Sequence, residues 1–214
     1  MLWRQEFEKL KEALELERTL KGKFRLVEHK TGLASTANTD VTGNIKVINL
    51  DTSQTPLKCA LSYAYELKNL NNAEKYENLI ERAKKGSISR SNFVKEMIKI
   101  EAEAAYFRAK AFLDLGGKRE NFPYNKEYLR IFDETKELRK EEIIKKFAQY
   151  ILENGKVRQQ FAAKKYYVDS FDYYSGKKMW PSFYDKKPKD VVLVKPANDD
   201  YFVELKKPKG RKVK

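Results

Sequence analysis

The sequence predicts a predominantly helical α+β protein, with a small sheet in the N-terminal third packed on long helices and short strands near the C-terminus. Apolar residues recur at helical spacing in several windows bounded by capping and stop signals. A short strand-like run at 24–27 and an apolar, β-branched run at 45–50 flank a polar stretch. No apolar run approaches the roughly 20 residues that cross a bilayer, so the chain reads as soluble, with no transmembrane segment and with cytoplasmic and secreted locations both open.

Trp3, Phe7, Leu10 and Leu14 predict one amphipathic helix ending near Gly22. Strand, loop over 31–44, and strand follow. Thr55-Pro56 opens a helix over 56–71, because a Thr side chain caps free amides and Pro suits the first helical position. Leu57, Ala60, Leu61, Ala64 and Leu67 form its apolar stripe, with Cys59, Ser62, Tyr63, Glu66 and Asn69 on the other side.

A helix over 73–85 stops at Gly86, and Ser89 or Ser91 caps a long helix that ends at Gly116-Gly117. In that long helix Glu101 sits beside the core stripe, whereas Glu103 falls on the polar side. After a connector containing Pro123, the residues Leu138, Ile143, Ile144, Phe147 and Ile151 mark another helix closed at Gly155. Residues 1–160 are therefore expected to form a helix-rich core domain. Residues 161–205 read as a basic, aromatic extension packed on it, with strands at 191–194 and 201–205, and 206–214 as a disordered basic tail.

The chain of 214 residues carries 45 Lys and Arg against 31 Asp and Glu, a net charge of +14. This favours anionic partners: nucleic acid, a charged surface, or an acidic immunity or target protein. Lys164, Lys165, Lys177 and Lys178 alternate with aromatic residues, as in proteins that stack single-stranded bases on rings while cations follow the phosphates; Lys206 and Lys207 add a basic patch. A single cysteine and a single histidine leave no Cys/His metal cluster, and no cofactor is expected. Phosphate-binding loops and serine-hydrolase elbows are absent too.

Two carboxylates, Glu66 and Glu101, held by Tyr63, Tyr65 or Arg108, suggest an acid–base pair, since like charges in an apolar cleft keep one of them protonated. The alternative is that each is a satisfied structural carboxylate. Cys59, near a helix N-terminus where the dipole favours a thiolate, and His29 are a second, less favoured catalytic pair. The simpler reading makes Cys59 a buried filler and His29 a surface residue.

Strand, polar loop, strand, a helix with central Glu66 in Tyr65-Glu66-Leu67-Lys68-Asn69, then a long helix carrying Ile100-Glu101-Ala102-Glu103-Ala104-Ala105: this order resembles bacterial zincin-like metallopeptidase and polymorphic-toxin effector domains. In those domains the pentapeptide is His-Glu-x-x-His, whose histidines share a helix face and grip one metal. Both histidines are missing here. The resemblance therefore implies an effector- or toxin-type domain on a scaffold without its metal ligands, any activity centring on Glu66 and Glu101. The alternatives are a basic nucleic-acid or anionic-surface binder, and a non-catalytic interaction module presenting Cys59, Ser62, Tyr63, Glu66 and Asn69 to a partner.

Overall fold

A computed structural model describes residues 2–30, 37–40, 46–157, 161–179, 191–194 and 202–205. The expected first helix is two, α1 (Leu2–Glu8) and α2 (Lys11–Thr19), turning at Leu10. Neither Gly nor Pro marks the turn. Its cause is tertiary: Arg4 grips Glu17 with two hydrogen bonds of 2.6 and 2.5 Å, whereas residues so far apart in a straight helix lie about 20 Å from each other.

β1 (Phe24–His29) pairs in parallel with β3 (Lys46–Asp51), and β2 (Ala37–Asp40) pairs antiparallel on the other side of β3, giving the order β1-β3-β2. β2 falls inside the stretch read as loop. Asn, Thr and Asp give it no strand signal, and its backbone pairing with β3 decides the matter.

α3 (Pro56–Asn71) starts as predicted, with extended Thr55 before Pro56, although Thr55 makes no side-chain cap. Ten of its 16 residues are buried, including every member of the side expected to face a partner. Cys59, Ser62, Tyr63, Glu66 and Asn69 thus cannot form an exposed docking face. α4 (Ala73–Lys84) closes at Gly86 (φ +67°), where Ser87 N–H reaches back to the Arg82 carbonyl at 2.9 Å.

α5 (Arg90–Asp114) is capped by Ser89, whose Oγ accepts from Asn92 N–H at 3.2 Å. It is the axis of the fold, packing against α3 and α4 and also against α6 (Glu127–Thr135), α7 (Lys140–Asn154) and α8 (Ala163–Tyr174). Its buried residues surround the helix, from Phe93 and Val94 to Phe112, with Ala102, Ala104, Ala105 and Ala109 letting neighbours approach. Gly116 (φ +74°) ends it, and a Cβ on Gly117 would lie 2.4 Å from the Phe112 ring.

The expected connector contains α6 and a short 3-10 turn at Arg119–Asn121. α8 forms part of the predicted aromatic extension, with Ala163, Tyr167 and Phe171 buried four residues apart. It belongs to a compact unit spanning Met1–Lys178; a second unit, Met179–Lys214, contains β4 (Val191–Val194) paired antiparallel with β5 (Phe202–Leu205). Among the described residues no helix is long and apolar enough to cross a membrane.

Candidate functional site

Glu101 is the meeting point of four helices. Its Oε1 accepts the hydroxyl of Tyr167 on α8 at 2.5 Å and that of Tyr76 on α4 at 2.9 Å, while its Oε2 accepts the hydroxyl of Tyr65 on α3. Burial, followed by the charge of Glu101, pushes all three phenols well above their usual range, so each remains a neutral donor. Hydroxyl donors thereby replace the hydration that a carboxylate in a helix-packed interior loses.

Arg108 lies two turns along α5. Its guanidinium carbon sits 3.8 Å from the Tyr124 ring centroid and 4.5 Å from that of Tyr65, and its Nε is buried with no acceptor among the described residues. Tyr65 links the two charges, offering its hydroxyl to Glu101 and its ring face to Arg108. Tyr124 is fixed in turn, sharing a hydrogen bond with the Ser62 hydroxyl and donating to the Lys58 carbonyl at 2.8 Å.

Glu66, 7% exposed, accepts from Asn69 Nδ2 at 3.3 Å. Its charge also bears on Tyr65 and Tyr76, which connects it electrostatically to the same cluster. Tyr63 lies elsewhere. Its hydroxyl donates to Glu17 at 2.7 Å and its ring packs edge-on to Trp3, so it serves the α1–α2 clamp rather than the two glutamates.

The Cys59 thiol is buried and donates to the carbonyls of Asp51 at 3.4 Å and Gln54 at 3.6 Å. Burial raises its pKa, the opposite of the thiolate that a helix N-terminus would favour. His29, half-buried, closes β1 opposite Asp51. The hydrogen bonds of Cys59 go to backbone carbonyls, so Cys59 and His29 do not form a nucleophile–base pair.

Of the proposed nucleic-acid lysines, Lys164 is exposed; Lys165 pairs with Asp169 at 2.6 Å and Lys178 with Asp172 at 3.0 Å. Lys177 lies 5.1 Å above the Phe171 ring. Tyr167 and Phe171 are core residues that no base can reach. Lys206 and Lys207 lie outside the described residues.

Tyr65 and Asn69 stand where the zincin-like pattern has histidines. A phenol kept protonated and committed to Glu101, with an amide that donates to Glu66, does not supply the nitrogen donors zinc prefers. Among the described residues no three His, Cys, Asp or Glu side chains converge as a metal would need. The sequence reading missed Tyr76 and Tyr167, which are 25 and 66 residues from Glu101. The four-residue spacing of Tyr167 and Phe171 was the signal available for placing Tyr167 on a buried helix face.

No protein-family model, curated protein or solved structure matches this chain.

Proposed function

We propose that this chain works by binding rather than catalysis, as an effector-type protein on a scaffold that resembles zincin-like domains but has lost their metal chemistry. The observation that carries the reading is the engagement of both Glu101 oxygens by the hydroxyls of Tyr65, Tyr76 and Tyr167, which together take three of the roughly four acceptor sites of a carboxylate. A general base needs a lone pair free to meet substrate. In Glu101 both oxygens are engaged by the protein's own donors, supplied by three helices packed against α5.

The resemblance and the cluster fit one account. Tyr65 meets Glu101 directly, joining the helix that would carry metal-binding histidines to the helix that would support them. With a net charge of +14 the chain suits an acidic immunity or target protein, because opposite charge speeds encounter.

Growth of cells on inducible expression of wild type and of Glu66→Gln, with folding of each followed by circular dichroism, tests the proposal. Equal effects on growth are expected. Loss of a wild-type growth defect in a folded Glu66→Gln protein would overturn it. Zinc and a chelator should each leave the thermal midpoint unchanged; a zinc-dependent rise would also contradict the reading.

A further inference from the structure

We propose that the end of the helical unit where α4 closes, α5 opens and α8 closes is a binding surface for single-stranded nucleic acid. The proposal is independent of the interior cluster. It starts from how α8 ends. Gly176 (φ +71°) lets the chain reverse, with Gly176 N–H donating to the Tyr173 carbonyl at 3.0 Å and Lys177 N–H to that of Asp172 at 2.8 Å. The reversal carries Lys177 back over the Phe171 ring, 5.1 Å from its centroid, and Lys178 to Asp172, 3.0 Å away.

Other cations join them. Arg90, the first residue of α5, lies 3.6 Å from Asp172, and Lys178 meets the same carboxylate at 3.0 Å. Lys84, in the last turn of α4, lies within electrostatic range of Tyr173 and Tyr174, and exposed Lys85 follows it. Five cations thus share this end with two carboxylates, Glu81 and Asp172. Lys85 and Lys177 make no close ion pair among the described residues, although the charge of Lys85 also bears on Glu81, which Lys84 holds at 2.7 Å.

Between the cations lies an aromatic pair. The Tyr173 and Tyr174 rings are 5.2 Å apart, and Tyr173 is 45% exposed, one of few large side chains in the unit that reach solvent. Lysines that follow a phosphate backbone around an exposed ring are how proteins hold single strands, the ring accepting any base. Caps and dipole compensation account for one lysine at a helix end; they leave the remaining positive charge of this end unexplained.

Fluorescence anisotropy of the full chain with a labelled oligothymidylate, measured across a salt series, tests this. Binding is expected at low salt, with log affinity falling against log salt at a slope of about −3 if four or five phosphates are neutralised. Lys85→Glu with Lys177→Glu should weaken binding at least about tenfold, and Tyr173→Ala at least about fivefold. Lys118→Glu with Lys126→Glu changes charge equally beyond the other end of α5, about 37 Å away, and should have a much smaller effect. Absence of binding at low salt, or equal losses in the two double variants, would overturn the proposal. So would binding to vesicles of anionic phospholipid that depends on Lys85 and Lys177 while the oligonucleotide does not bind.

Discussion

The Tyr167 hydroxyl donates to Glu101 Oε1 at 2.5 Å, adding a hydrogen bond to a charged acceptor to the packing of α8 on α5. Hydrogen bonds to a charged acceptor contribute about 1.5–3 kcal/mol, more than neutral ones. Tyr167→Phe removes the donor without changing the ring, and urea unfolding should show a loss in that range. Tyr76→Phe, whose bond is longer at 2.9 Å, should cost less. Equal stability of wild type and Tyr167→Phe would mean that Glu101 does not depend on α8.

The three donors also make an alkaline prediction. Tyr65, Tyr76 and Tyr167 have folded-state values raised well above 10.0. Their contribution to stability is therefore complete below about pH 10 and is lost as pH rises toward the folded-state values. Phenolate absorbance should show the exposed tyrosines titrating first and these three ionising only as the fold opens. Complete titration of all tyrosines in one step near pH 10 in folded protein would contradict the cluster.

The α1–α2 clamp responds to acid. Burial raises the pKa of Glu17, but hydrogen bonds from Arg4 and Tyr63 outweigh it and leave the carboxyl below its ordinary 4.5. Its stabilising contribution is present above about pH 4.5 and lost as pH falls through the lowered value. Glu17→Gln should be less stable at neutral pH and should lose less stability on acidification. Parallel stability–pH curves for the two proteins would dismiss the clamp.

Cys59 should behave as a filler. A protonated, buried thiol bonded to two carbonyls reacts only when the fold opens. A thiol reagent should label native protein at least about a hundredfold more slowly than protein in denaturant. Fast labelling of the native state would restore Cys59 as a candidate nucleophile.

Much of the scaffold was legible. Thr55-Pro56, Ser89, Gly86 and Gly116 are local signals, and the helices α3, α4 and α5 begin or end beside them. What was not legible depends on distant partners. Leu10 turns because Arg4 finds Glu17, and β2 exists because β3 offers it an edge. The sequence placed Glu101 beside the core stripe of its helix and offered Tyr63, Tyr65 or Arg108 as company for it and Glu66; Tyr65 and Arg108 lie in its cluster, whereas Tyr63 bonds Glu17. It could not supply Tyr76 and Tyr167, because a tyrosine's hydroxyl partner leaves no mark on local periodicity.

Glu101 also separates a structural from a catalytic account. Residues kept for chemistry commonly strain the fold, so replacing them leaves stability unchanged or improved. A carboxylate that ties three phenols behaves in the opposite way. The unfolding free energy of Glu101→Gln, measured in urea beside wild type, should fall by about 2–4 kcal/mol as charged acceptors are lost; a folded Glu101→Gln protein as stable as wild type, or more so, would contradict the structural role claimed for this cluster.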